Sequence, residues 1–285
     1  MKRADFRFAH RLRVRWVEVD LQRIVFNGHY LMYFDAAAAD YWRALALPYH
    51  DAMAQLGGDL YVRKSTLEYH ASAHFDEQLE VCIRCERIGN SSIVFVWGVF
   101  RAEELLVSGE LVYVFADPAL QSARPVPQAL RQILLGYEAG EALVDVKVGT
   151  WAELGGPAQA IRTEVFVHEQ HIPAELEWDA ADAGCVHALA LNRLGMPLAT
   201  GRLLAHAPGI GRIGRMAVRA PMRGSQVGRA VLDALMAAAG RRGDTEVMLH
   251  AQQSAIGFYL RAGFKPRGEA FEEAGIVHLE MVRAP

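Results

Sequence analysis

Cysteine is scarce: three in 285 residues cannot all pair, so the chain is no disulfide-stapled scaffold and suits a reducing cytoplasm. Long apolar runs are missing as well, and no stretch reaches the roughly twenty residues a membrane-spanning helix needs. The opening residues, MKRADFRFAHRLRV, are basic with no apolar core behind them, so no signal peptide is expected. Charge of one sign is not in excess. A net charge of -3 argues against nucleic acid as the main partner, with local basic patches left open. Cys82 and Cys85 have metal-like CxxC spacing but lie in a strand-like segment with no second pair, so no metal is expected. What is present, 52% hydrophobic and 22% charged residues, is the composition of a soluble globular protein. Its length allows one large domain or two ordinary ones.

Residues 11–19 alternate well enough for a first strand, with Leu12, Val14 and Trp16 on one side. The chain then breaks at a polar turn carrying Asp20 and continues as an apolar helix. Counted from Asn27 as N-cap, Leu31, Phe34, Ala38, Tyr41 or Trp42 and Leu45 recur at helical spacing. Almost no charge interrupts the run, so the helix is expected to be covered on most sides. Strands are predicted at about 60–70, 78–88, 91–101 and 104–116, with turns at Gly89-Asn90 and Ala102-Glu103-Glu104. A short helix is predicted over Gln128–Leu135. One buried helix wrapped by an antiparallel sheet covers both patterns. GYEAGEA, residues 136–142, reads as a linker. Beyond it strands alternate with long helices, which implies an α/β domain. The expected domains are 1–138 and 143–285.

The run Asp20-Leu21-Gln22-Arg23-Ile24-Val25-Phe26-Asn27-Gly28-His29-Tyr30 continues in Glu68-Tyr69 and in His74-Phe75-Asp76-Glu77-Gln78-Leu79-Glu80-Val81. Over roughly residues 8–135 it resembles the hotdog-fold acyl-CoA thioesterases of the 4-hydroxybenzoyl-CoA thioesterase type. The resemblance implies an α+β fold and acyl-CoA hydrolysis, with Asp20 as the catalytic carboxylate and a backbone N–H near Asn27 at the thioester oxygen. The physics agrees. A helix start offers unpaired N–H groups and a positive dipole end, and a carboxylate just ahead of it can attack the carbonyl or activate water. Without its flanking pattern Asp20 would read as a solvated turn aspartate. Arg23 stands where the family usually has glycine, a change that could alter the turn or close the site. Domains of this type normally hold substrate between subunits, which implies a homo-oligomer.

The second half opens with a strand, ALVDVKVG, and a helix over about 157–170 with Ile161, Val165 and Phe166 on its apolar face. A loop rich in acids follows, with Glu175, Glu177, Asp179 and Asp182. Strands are predicted at about 184–191 and 197–206, around a turn at Gly195. A strand over about 210–218 runs through a turn into a helix with Val227, Ala230, Val231, Ala234, Leu235 and Ala238 on one face. Gly224, Ser225 and Gly228 put small residues at that helix start, beside Arg223. Such a start suits a pyrophosphate, although an ordinary α/β turn uses similar residues.

Arg215-Met216-Ala217-Val218, the Arg223-x-x-x-x-Gly228 loop and Phe258-Tyr259-x-x-x-Gly263-Phe264 together resemble the GNAT acetyltransferase superfamily. Val165-Phe166-Val167-x-Glu169-Gln170, His250-Ala251-Gln252 and His278-x-x-Met281 are similar to its ElaA-like branch, and the match covers about 145–285. The resemblance implies a mixed sheet flanked by helices and transfer of acetyl from acetyl-CoA to an amine. Main-chain groups of Met216 and Val218 would face the acetyl and pantetheine portions. Backbone amides of Arg223, Gly224, Ser225, Gln226, Val227 and Gly228 would hold the pyrophosphate. Gln226 replaces the first glycine of the family pattern; if the position needs φ > 0, that costs roughly 1 kcal/mol. Tyr259 matches the general acid for the departing thiolate, with a core Phe-Tyr pair as the competing reading. Glu169, Glu177, His187 and His250 are candidate bases, each with a plain structural alternative. Arg212, Arg215, Arg219, Arg223 and Arg229 could meet CoA phosphates or be merely solvated. Cys185 reads as a small buried hydrophobe. A rival reading makes one half a non-catalytic module that senses CoA or acyl-CoA and controls the other.

Overall fold

The apolar stripe of the first long helix turns out to be led by aromatic residues. The computed structural model describes residues 1–273 and 275–285, the Leu176 side chain excepted, in two units, Met1–Leu143 and Val144–Pro285. The first unit holds β1 (Phe8–Arg13), α1 (His29–Ala44), α2 (Tyr49–Leu56), β2 (Asp59–Tyr69) and β3 (Gln78–Ile88). It continues with β4 (Ser92–Arg101), β5 (Glu104–Asp117), β6 (Ser122–Ala123) and α3 (Gln128–Glu138). The strands form an antiparallel sheet in the order β1-β3-β4-β5-β2, with β6 on β5. Helix α1 packs on this sheet through Tyr30, Tyr33, Phe34, Ala37, Tyr41 and Leu45, all buried. Phe34 meets Trp97 of β4 at 5.2 Å between ring centroids and Tyr41 meets Phe95 at 5.8 Å. This is the α+β helix-on-sheet arrangement of the hotdog fold.

Three expectations for this unit need correction. The buried stripe is rotated from the one predicted: Leu31 and Met32 are 39% and 59% exposed. Helix α1 starts at His29, with Gly28 rather than Asn27 at its N-cap, and the large rings of Tyr30 and Tyr33 take the inward positions. The face carrying Leu31, Met32, Asp35 and Ala36 is uncovered in the single chain. The first strand stops at Arg13 and Trp16–Glu18 fold into a short helical turn, because the Glu18 carboxylate accepts the Arg15 N–H and the Tyr33 hydroxyl, both at 2.7 Å. Trp16 is therefore exposed, with an edge-to-face contact to Phe75 at 5.5 Å. Finally, α3 runs through residues 136–138 of the expected linker. Tyr137 is buried under the Arg7 guanidinium, and the Glu138 carboxylate accepts the Tyr41 hydroxyl at 2.8 Å and the Cys85 N–H at 2.9 Å.

The second unit runs β7 (Val144–Gly149), α4 (Trp151–Arg162), a π-helical stretch (Thr163–Glu169), α5 (Ala174–Glu177), β8 (Val186–Asn192) and β9 (Pro197–Ala207). Then come β10 (Ile210–Val218), α6 (Val227–Arg242), β11 (Glu246–Gln252), α7 (Ile256–Arg261), β12 (Lys265–Glu273) and β13 (Ile276–Arg283). Helix α4 starts six residues before the expected position, at a capping box in which Glu153 accepts the Thr150 N–H at 2.8 Å. Pro157, read as a helix start, lies inside it. The sheet order is β12-β13-β11-β10-β9-β8-β7. Strands β10 and β11 are parallel and the other neighbours antiparallel. The parallel register ends at Ile213 and Leu249. There β10 bulges, with Arg215 at φ +53°, and the pairing with β9 resumes at Ala217. Two parallel strands that stop pairing halfway leave a wedge between them.

Candidate active sites

In the first unit, the chain ahead of α1 is pinched by pairing of Val19 with Val25 and of Ile24 with His74. Asp20 closes the turn. Its N–H donates to the Ile24 carbonyl and its own carbonyl accepts the Arg23 N–H, each at 2.9 Å. One carboxylate oxygen accepts the Gln22 N–H at 2.8 Å. Arg23 takes φ +62° and its side chain is exposed, so the turn keeps a glycine-like shape. A cavity of about 360 Å³ is lined by Asp20, Asn27, Tyr30, Tyr69 and His70, among others, and not by Arg23. The Asn27 carbonyl accepts the Tyr69 hydroxyl at 3.3 Å. Among the described residues, neither Asn27 nor Gly28 commits its N–H to an acceptor. Asp20 and Asn27 thus line one cavity beside a helix start where the Asn27 and Gly28 amides have no acceptor among the described residues.

Sequence reading missed His70, whose Nε2 lies 2.8 Å from the Ser108 hydroxyl; its only signal was adjacency to the Glu68-Tyr69 pair. It also missed Glu18, 3% exposed. Burial would raise that carboxyl, but hydrogen bonds from Arg15 and Tyr33 bring it below the usual range.

In the second unit a cavity of about 430 Å³ fills the wedge beyond the β10 bulge, bordered by Gln170, Met216, His250, Gln252, Tyr259 and His278, among others. Tyr259 both packs in an aromatic cluster and lines this cavity. Its ring packs at 5.0 Å from Phe258 and 5.9 Å from Phe264. Its hydroxyl, lining the cavity, has no hydrogen-bond partner among the described residues, and burial pushes the phenol pKa up. At the start of α6, Gly224 and Gln226 take φ +86° and +70°. Among the described residues Gly224, Gln226 and Val227 direct no N–H at an acceptor. Gly228 is required by a close approach: a Cβ there would lie 2.9 Å from Val218 Cγ2.

The arginine run is ion-paired instead of free. Arg219 meets Glu164 at 2.8 Å, Arg223 meets Glu169 at 2.6 Å and Arg229 meets Asp233 at 2.9 Å. Arg215 meets Glu177 at 3.1 Å, and Arg212 donates to His250 Nδ1 at 2.9 Å. Of the candidate bases, Glu177 and His250 line the cavity, whereas Glu169 and His187 do not. His187 is buried, and its Nε2 donates to the Asp182 carbonyl at 2.9 Å.

The acid loop is not a solvated loop. Glu177 and Asp182 are buried around Arg162, itself 1% exposed, and Asp182 also takes Arg202 at 2.7 Å. Trp151 and Trp178 flank the Arg162 guanidinium at 5.4 and 4.8 Å. The available signal was an arginine on each of two otherwise apolar segments, at 162 and 202.

Residues 22–108 match a thioesterase superfamily model, and residues 149–284 an acetyltransferase (GNAT) domain model. The uncharacterised N-acetyltransferase YjcF of Bacillus subtilis (strain 168) is 35% identical over 124 residues, 43% of this chain and 87% of its own. The acyl-CoA thioester hydrolase YbgC of Escherichia coli O157:H7 is 27% identical over 120 residues, 42% of this chain and 89% of its own. A crystal structure of an acyl-CoA N-acyltransferase from Pseudomonas aeruginosa is 34% identical, over 50% of this chain and 99% of that one, at a TM-score of 0.45. The chain belongs to the GNAT acetyltransferases through its second unit, and its first unit matches the thioesterase superfamily.

Proposed function

We propose that one chain carries two reactions of CoA thioesters: hydrolysis of an acyl-CoA in the first unit, and acetyl transfer from acetyl-CoA to an amine in the second. The observation that carries the hydrolase reading is Asp20 sharing a cavity with Asn27, where the N–H groups of Asn27 and Gly28 are unspent. The Asp20 carboxylate attacks the thioester carbon or takes a proton from the attacking water. The free amides accept the charge that grows on the carbonyl oxygen. Thiolate leaves, and water supplies the hydroxyl of the product acid. The exposed Arg23 side chain is not part of the cavity lining, which supports an open site.

In the second unit the bulge at Arg215 exposes main-chain groups around Met216 to the wedge, where the acetyl and pantetheine portions of acetyl-CoA would lie. Free amides at 224, 226 and 227 suit the pyrophosphate. The amine attacks the acetyl carbon directly, and the departing sulfur takes a proton from Tyr259, whose hydroxyl has no competing partner. No metal is required by either step. The natural setting is the cytoplasm, in keeping with three free, buried cysteines. Assembly is through the first unit, whose edge strand β2 is uncovered. Asp20→Asn tests the hydrolase: CoA release from a panel of acyl-CoAs should fall about a hundredfold or more, with acetyl transfer to amines untouched. Near-normal hydrolysis in that variant would remove Asp20 from the reaction.

A further inference from the structure

At neutral pH an alkylamine is mostly ammonium, which has no lone pair for attack, so acetyl transfer needs a group to take its proton. The four groups suggested by the sequence serve this poorly. Glu169 and Glu177 are committed to guanidinium partners, and His187 to a backbone carbonyl. His250 lines the cavity, but its Nδ1 is already approached by Arg212 Nη2 at 2.9 Å and Glu273 Oε2 at 3.0 Å.

His278 is placed differently. It lies on β13, opposite Gln252 of β11 and Phe271 of β12, and borders the same cavity as Met216 and Tyr259. Its Nδ1 is 2.8 Å from the Ile276 carbonyl oxygen. A carbonyl can only accept, so Nδ1 keeps a proton and the neutral ring carries its lone pair on Nε2. The Phe271 ring, stacked at 6.1 Å and 24°, holds the imidazole plane. Among the described residues Nε2 has no partner. The other charged and titratable groups of the cavity wall are His250 of β11, Glu273 of β12, Arg212 and Arg215 of β10, Tyr259 of α7 and Glu177 of α5. Glu280 lies on the same strand as His278.

Resting on the acetyltransferase reading, we infer that His278 is its general base and that the acceptor is an amine presented as ammonium. Nε2 takes one proton from the ammonium. The freed lone pair forms the C–N bond, the C–S bond breaks, and Tyr259 protonates the leaving sulfur. The nitrogen's second proton restores the phenol, and His278 releases its own to water.

The test compares the full chain with His278→Gln, using acetyl-CoA with an alkylamine and with an arylamine, whose lone pair is free at neutral pH. Alkylamine kcat/KM should fall about a hundredfold near neutral pH and recover as the medium becomes alkaline. Arylamine transfer should fall less than about tenfold, with calorimetric binding of acetyl-CoA unaltered. His278→Ala should regain alkylamine transfer when imidazole is added, which keeps the test sharp if the Gln variant is damaged. Equal losses with both amines at every pH and no imidazole rescue, or an unchanged rate, overturn the base assignment alone. Binding of acetyl-CoA without transfer to any amine by the unaltered protein overturns the acetyltransferase reading, and His278 with it.

Discussion

Arg23 and Gln226 replace glycines of their family patterns, and both sit where the backbone takes positive φ, +62° and +70°. A side chain in that conformation costs roughly 1 kcal/mol, so each turn keeps its glycine shape under slight strain. Gln226→Gly relieves it. Acetyl-CoA affinity should then stay the same or improve by less than about tenfold, because glycine's added freedom in the unbound loop offsets the gain. Titration calorimetry checks this, and a clear loss of affinity would mean that the Gln226 side chain itself binds. Gly228→Leu should act in the opposite sense, weakening acetyl-CoA while hydrolysis persists, since any Cβ there meets Val218. At this scale the sequence displayed residue types and spacing: Asp20 beside a helix start, Tyr259 in its Phe-Tyr pair, Gln226 in a glycine slot. It could not display which ring nitrogen of His278 is tied to a carbonyl, because that depends on a strand turning at 276 and not on any pattern of side chains.

Among elements, strands were the most legible, since alternation and turn residues are local. The hairpins over 78–117 lie within a residue of where the pattern put them. The face of α1 and the start of α4 were harder, because aromatic packing and a capping box overrode the simplest apolar count. The buried cluster around Arg162 escaped reading altogether, since its acids come from α5 and the turn after it and its arginines from α4, β9 and β10. It ties the Glu177 segment to the wall of the cavity beyond the β10 bulge. Arg162→Met would remove one partner from each of two buried carboxylates and leave Glu177 to Arg215 and Asp182 to Arg202, so the cost should fall below the roughly 3–5 kcal/mol of a fully broken buried pair. Hydrogen exchange of the β8 and β9 amides should accelerate accordingly, and unchanged exchange would show the cluster to be energetically neutral. The rim of the cluster titrates. Hydrogen bonds from Arg202, against an opposing burial effect, hold the Asp179 carboxyl down to about 2. A carboxyl lower in the folded than in the unfolded chain stabilises the fold above its unfolded pKa of about 4. That contribution disappears as the pH falls toward 2. Acid unfolding of the second unit should therefore steepen below about pH 4, and Asp179→Asn should flatten this part of the curve.

For the molecule as a whole, two surfaces decide the next experiments. Strand β2 ends its sheet with Tyr61 and Val62 48% and 55% exposed, an unpaired edge of the kind that recruits a second strand. Light scattering should give a homodimer, and Val62→Glu should yield monomers that lose hydrolysis but retain acetyl transfer. Persistent dimers would place the contact elsewhere. The other surface is the junction. The change in texture near residue 140 was visible in sequence, but the burial of Tyr137 was not, because GYEAGEA has the composition of a flexible tether. Residues 139–142 are exposed, whereas Tyr137 and Glu138 belong to the first core. This makes the position of a cut informative. A fragment ending at residue 143 keeps the Glu138 carboxylate for the Tyr41 hydroxyl and the Cys85 N–H. One ending at residue 135 loses it, leaving two buried donors unsatisfied at about 1–3 kcal/mol each, and also uncovers the place where Tyr137 packs on Tyr41. The longer fragment should melt cooperatively and hydrolyse acyl-CoA, and the shorter should melt several degrees lower or precipitate. The complementary piece, residues 144–285, should bind acetyl-CoA alone, since its sheet and core are its own. If the fragments of residues 1–143 and 144–285 regain activity only when mixed, the two units fold as one body and the junction is a structural element of both.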